Sequence, residues 1–121
     1  MSTAEDYLMF AQMLVNGGQL NGKRLLSPRT IELMGSVHAP DTLPGRTAGE
    51  GYGLSVRVIS DSGARATMLS DGSFGWSGAF GTHFWVDPKE HLVAILMIQV
   101  APDAGIRTDF ETAVMQSIID K

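Results

Sequence analysis

Cysteine is absent from this chain of 121 residues. That excludes disulfides, zinc–thiolate sites and thiol nucleophiles. An excess of positive charge is also missing: nine Lys and Arg face 13 Asp and Glu, for a net charge of −4. No basic footprint for nucleic acid exists. Long apolar runs are lacking too. The longest, Leu92 to Ile98, is too short to span a bilayer. The opening "MSTAEDYLMF" is acidic and has no basic n-region, so it does not read as a signal peptide. The compartment stays open. No G-x-x-x-x-G-K-[ST] occurs, and no G-x-G-x-x-G opens a helix. What is present is 44% hydrophobic and 18% charged residues, a balance that excludes a disordered tail and suits one domain with a real core.

Hydrophobic spacing predicts the elements. Ser2-Thr3 before Glu5 and Asp6 resembles an N-cap with an acidic first turn. Tyr7, Phe10, Ala11 and Leu14 then form one apolar face, predicting a helix from Ala4 to Val15, closed by Asn16-Gly17-Gly18. "GGQLNGKRLL" is read as a loop, and Ser27-Pro28 as the cap of a short helix ending near Met34. Residues 1–35 thus make a helix-loop-helix. Residues 36–52 are rich in Gly and Pro and read as a long loop. A sheet is expected over 53–100. Its strands are Leu54–Val58, a weaker Arg65–Leu69, Phe80–Val86 and Leu92–Ile98, with Asp61-Ser62-Gly63 and Asp87 to Glu90 as turns. The last strand is apolar at every position, so both its faces should be covered. After a loop from Pro102 to Ile106, a final helix is expected over 107–119, with Phe110, Val114 and Ile118 on its stripe. The fold class is α+β: an antiparallel meander with helices packed on it. Gly72, Gly75, Gly78 and Gly81 recur every third residue without the Pro content of collagen. They fit close backbone approach along a bent edge strand.

Ser77 lies in Gly75-Trp76-Ser77-Gly78-Ala79, one glycine short of the G-x-S-x-G nucleophile elbow. An elbow also needs a helix after the serine, and a strand is expected here. A nucleophilic serine needs a base. Of the histidines, His38, His83 and His91, none sits in a recognisable triad context, and pairing around the hairpin is expected to put His91 opposite Val86. All three read as surface or half-buried side chains. Asp41, Glu50, Asp61 and Asp71 read as solvated or turn-making carboxylates with no metal-cage spacing. The seven methionines, Met9, Met13, Met34 and Met97 among them, read as core filler.

"GYG" at Gly51 to Gly53 and "GWSGAFGTHFWVDPKEHLVAILMIQ" from Gly75 to Gln99 resemble the C-terminal part of the serine β-lactamase and penicillin-binding protein superfamily. The class C β-lactamase-like esterases are the nearest branch. The leading "STAEDYLMFAQMLVNGGQLNGKRLLSPRTIELM" resembles the helix-loop-helix that precedes the last strands there. The resemblance covers nearly the whole chain. It implies a β-lactamase-like α/β sandwich, no cofactor or metal, and acyl-enzyme chemistry from an S-x-x-K serine and lysine, a Tyr motif, and a third motif on an edge strand. Trp76-Ser77-Gly78 matches the third motif in its W-x-G form, and tryptophan in place of the lactamase lysine favours esterase-like chemistry. By that match Ser77 would hydrogen-bond substrate, Gly78 would leave room for it, and the Ala79 N–H would serve an oxyanion hole.

The other two motifs are missing. None of the ten serines has lysine three residues on, and neither Tyr7 nor Tyr52 begins Y-x-N or Y-x-S. The expectation is therefore the C-terminal portion of a serine hydrolase, inactive alone, whose parent takes an ester, a β-lactam or a D-amino-acid peptide. Two alternatives stand beside it: a hydrolase using Ser77 or Ser73, completed across an oligomer interface, and a non-enzymatic binding module. A plain α+β domain in which Trp76 and Trp85 merely pack accounts poorly for the motif order. In the family, the strand matching Leu92–Ile98 pairs with an N-terminal strand. A bare edge here predicts a homo-oligomer.

Overall fold

The computed structural model describes residues 3–99 and 105–118. Helix α1 spans Ala4–Val15, and its cap is Thr3, whose hydroxyl accepts the Asp6 N–H at 3.1 Å. The segment read as a loop then forms a small hairpin, β1 (Gln19–Leu20) with β2 (Lys23–Arg24). Its two-residue turn is Asn21-Gly22, both at positive φ, the pairing that suits strand twist best. Helix α2 (Pro28–Met34) starts at Ser27, which accepts the Thr30 N–H.

The main sheet has five antiparallel strands in simple meander order: β3 (Glu50–Tyr52), β4 (Arg57–Ile59), β5 (Phe74–Ser77), β6 (His83–Asp87) and β7 (Leu92–Leu96). The α+β meander expected from the sequence is thus the architecture, but its boundaries differ. The sheet begins at Glu50, inside the segment read as a loop: Glu50–Tyr52 pair with Arg57–Ile59, and Tyr52 also bridges to Ala39. Leu54 and Ser55 form a tight turn and not a strand: Ser55 has φ 66° and the Gly53 N–H meets Val56 O at 2.8 Å. Arg65–Leu69 is not a strand either. Asp61 accepts the N–H groups of Gly63 and Ala64 and so starts a short helix, α3 (Ser62–Arg65), which Ala66 ends in the left-handed region. The strand expected over Phe80–Val86 begins only at His83, since Phe80 lies exposed in the turn before it. The β6–β7 register sets Val93, not His91, opposite Val86. His91 occupies the turn at φ 51°. Helix α4 runs Ile106–Gln116, short of the expected 107–119, and Ile119 and Pro102 to Ala104 lie outside the described residues.

Strand alternation divides the core by face. Val58, Phe74, Phe84 and Val86 pack with Ala11, Met13 and Leu14 of α1. Ile59, Trp85 and Ala94 pack with Met115 of α4, and Phe110, Val114 and Ile118 complete that cluster. In β7, Val93 and Ile95 turn to the first cluster while Leu92 and Ala94 turn to the second. Helices on both faces explain why this strand is apolar throughout. Met13 is buried where Phe10 was expected; Phe10, Met9 and Met97 are exposed and are not core filler.

Candidate functional site

Strand β4 pairs only with the first half of β5, through Arg57↔Gly75 and Val58↔Phe74. Trp76 and Ser77 therefore have β6 on one side and no ladder partner on the other. The motif strand is central in sheet order, which corrects the expectation of an edge strand. Its motif half is nonetheless open. Gly78 and Ala79 follow in the turn to β6. Beside them lies an open, mainly apolar pocket of about 530 Å³, lined by Tyr7, Trp76, Ser77, Gly78, Ile95 and Met97 among others. All four sequence-predicted site residues thus stand at one end of the sheet. Trp76 is half-exposed, sits edge-on to Tyr52 at 5.8 Å, and has the Arg57 guanidinium 5.9 Å from its ring centre.

The Ser77 side chain turns to the α4 face. Its Oγ lies 2.8 Å from His83 Nδ1, its cross-strand neighbour, and 3.0 Å from Arg57 Nη2. On the other side of the ring, His83 Nε2 lies 3.1 Å from Glu111 Oε2 of α4. Donor chemistry orders this chain. Arginine only donates, so Ser77 Oγ accepts from Arg57. With a neutral ring, Ser77 then gives its own proton to Nδ1, and Nε2 carries the ring proton and donates to the Glu111 carboxylate. His83 is only 5% exposed, which corrects its reading as a surface or half-buried residue. His38 and His91 are exposed.

A second group of charges backs the first. Glu50 is buried, with its carboxylate 2.7 Å from Arg65 Nε and 3.8 Å from Arg57 Nε. It is not the solvated loop carboxylate that its Gly-rich surroundings suggested. Asp41, Asp61 and Asp71 do make turns, accepting the N–H groups of Gly49, of Gly63 with Ala64, and of Ser62. Helix α4 also grips the β5–β6 turn. Arg107 donates through Nη2 to Gly78 O and through Nε to Gly81 O. The Gly78 N–H is given to Thr82 O, while Ala79 N–H meets no acceptor among the described residues. Ser73, the other candidate nucleophile, is fully buried and its hydroxyl has no partner among the described residues. Among those residues no group of carboxylates and histidines could hold a metal, and no helix is long and apolar enough to cross a membrane.

A meander with helices on both faces thus carries the W-x-G strand beside an apolar pocket. The chain belongs to the Beta-lactamase family, whose family model matches residues 1–115. Protein Rv1367c of Mycobacterium tuberculosis is 33% identical over 115 residues, covering 87% of this chain and 29% of that protein. Among solved structures, EstCE1, a hydrolase with promiscuous acyltransferase activity, superposes with a TM-score of 0.84 at 23% identity, over 94% of this chain and 30% of that one. Simvastatin synthase (LovD) from Aspergillus terreus gives 0.72 at 19% identity, over 95% and 33%. The chain therefore spans about a third or less of the length of the proteins it matches.

Proposed function

We propose that this chain forms the substrate-side wall of an acyl-transferring serine hydrolase, esterase-like in preference, whose principal nucleophile lies in a part of the scaffold that the chain does not span. The observation that carries this reading is the open half of β5, which presents Trp76, Ser77 and Gly78 to the apolar pocket. An ester with a short apolar acyl group fits such a surface: its chain rests against Tyr7, Ile95 and Met97 and its carbonyl faces the motif. The absence of S-x-x-K and of the tyrosine motif supports a chain that binds esters without turning them over at enzyme-like rates. We also infer that the chain self-associates through the free edge of β7.

Two measurements test the reading. Titration with phenyl butyl ketone, a non-hydrolysable stand-in for the ester, should move the amide signals of Ser77, Gly78 and Ala79 together with the Met97 methyl. Shifts confined to other parts of the chain would sink the pocket assignment. In a p-nitrophenyl butyrate assay, turnover in the ordinary enzyme range, roughly 1–10³ s⁻¹, would overturn the placement of the nucleophile outside this chain.

A further inference from the structure

We propose that Ser77 is itself a latent nucleophile, activated by His83 and Glu111 of the same chain, that takes phosphonyl or acyl groups from small activated reagents entering the apolar pocket. The proposal goes beyond the wall function and shares only the pocket with it. The motif resemblance gives Ser77 a contact with substrate and names no base for it. Here a base and an acid are built around it: Ser77 Oγ to Nδ1 at 2.8 Å, and Nε2 to Glu111 at 3.1 Å.

The three residues come from separate elements, β5, β6 and α4. Ser77 and His83 are held by the β5–β6 register. Glu111 is held by α4, which packs against Trp85 through Phe110, ring centres 5.6 Å apart. The ring is used the other way round from the protease triad, where serine meets Nε2 and the acid meets Nδ1. The roles survive the reversal: one nitrogen accepts the hydroxyl proton, and the other donates to a carboxylate that stabilises the imidazolium. Arg57 adds a cationic donor on Oγ at 3.0 Å, which stabilises the negative charge that develops as the proton leaves. Ser77 and His83 both line the open pocket, which gives a reagent its route to this pair.

The step balances. With an ester, Oγ bonds to the carbonyl carbon as its proton moves to Nδ1. The bond to the leaving oxygen then breaks, and Nδ1 returns the proton to that alkoxide. With a fluorophosphonate the Oγ–P bond forms, P–F breaks, and the proton leaves with fluoride. Gly78 N–H is already committed to Thr82 O, so it is not free to serve an oxyanion. One missing oxyanion donor costs about 10²–10³ in rate. A stable adduct is therefore the readout, and ester turnover stays low.

The experiment is alkyl fluorophosphonate labelling of the whole chain, read by intact mass and by peptide mapping, with circular dichroism as the check on folding. One phosphonyl group per chain is expected, at Ser77, and Ser77→Ala should abolish it. His83→Asn keeps a polar group near the Nδ1 position but removes the base. It should slow labelling by roughly 10²–10⁴-fold, the usual contribution of a general base. Should that variant not fold, Glu111→Gln serves instead. Its amide can donate to Nε2 and force the proton onto Nδ1, which should slow labelling by up to about 10⁴-fold, as the wrong tautomer does in proteases. No adduct, an adduct on another serine, or an unchanged rate in the folded His83 or Glu111 variant would overturn the proposal. Those results leave the wall function untouched, because ketone binding is read separately.

Discussion

Arg107 and Glu111 stand four residues apart on α4 and hold the same turn of the sheet from two points. Arg107 donates to the carbonyls of Gly78 and Gly81, and Glu111 meets His83 at 3.1 Å. Residues at this spacing share a helix face. One helix face thus fixes both the backbone of the motif turn and the ring beneath it.

Arg107→Ala should therefore loosen the site without touching the pocket. A half-buried, charge-assisted pair of hydrogen bonds is lost, at a cost of about 1–3 kcal/mol. The local signature is more telling than the global one. Hydrogen exchange at the amides of Gly78 and Gly81 should quicken by more than exchange at Val86 and Ala94. Uniform quickening across the sheet would mean that Arg107 supports the fold at large and has no special hold on the turn.

Glu50 is the anion of the neighbouring cluster, nearly buried and shared by Arg65 and Arg57. Removing one member of a buried pair strands the others. Both arginines are partly exposed, however, so water screens part of the loss. Glu50→Ala should destabilise the chain by about 1–3 kcal/mol in urea unfolding, and Glu50→Gln by less, since the amide oxygen still accepts from Arg65. Because Arg57 also donates to Ser77, both substitutions should shift the Ser77 amide signal. By contrast Glu32→Ala, which breaks the exposed Arg29–Glu32 pair, should change stability by less than about 1 kcal/mol. Equal costs at Glu50 and Glu32 would refute the distinction between buried and surface charge.

Much of the frame was legible in the sequence. Thr3 and Ser27-Pro28 are caps with a local mechanism, and the apolar run at β7 announced a strand covered on two faces. The Asn21-Gly22 hairpin is equally local, but strands of two residues carry no alternation to read. The site was legible in part. Trp76, Ser77, Gly78 and Ala79 stand together because they are neighbours in the chain. His83 joins Ser77 only through cross-strand register, and Glu111 arrives 28 residues later on a helix whose packing no spacing rule specifies. Glu50 sits in a Gly-rich stretch that resembles a surface loop, and only the convergence of Arg57 and Arg65 makes its burial tolerable.

Gly75 illustrates a constraint that periodicity pointed to. A methyl group there would overlap the Phe84 carbonyl oxygen and crowd the Trp85 backbone. Rigid backbone cannot yield as a side-chain tip would, so Gly75→Ala should cost about 1–3 kcal/mol or more and should disturb the Ser77↔His83 register two residues on. Gly72→Ala meets no atom but sits at φ +90°, so it should strain the turn while leaving the β5–β6 pairing intact. Comparing the two by amide chemical shifts separates crowding from backbone strain.

Asp71 gives a pH prediction. The Ser62 N–H, 2.7 Å from its Oδ1, holds the Asp71 carboxyl below its ordinary value. A pKa lowered by folding means that the unfolded chain binds the proton more tightly. The stabilisation is therefore fully present above the unfolded value and is lost as pH falls through the lower, folded value. Asp71→Asn keeps an acceptor for Ser62 but cannot titrate, so its unfolding midpoint should fall less steeply on acidification than that of the parent chain. Parallel acid limbs in the two proteins would show that the contact carries no pH-dependent stability.

Strand β7 carries the last prediction. It pairs with β6 on one side, and among the described strands nothing pairs with its other edge. A strand of five apolar residues with free N–H and C=O groups is a template for another strand. The relatives are about three times longer than the stretch matched here, so there is ample chain in them to cover such an edge. Under the proposed self-association a second copy covers this edge, aided by the exposed Leu8, Met9 and Phe10 on α1, which packs against the same strand. Sizing with light scattering at micromolar concentration should give a mass above the 13.0 kDa of one chain. Leu96→Lys places a charge at the half-buried end of the strand, where a cation disfavours edge pairing, and should shift the mass toward 13.0 kDa. A parent chain already monomeric under these conditions would rule out self-association through β7.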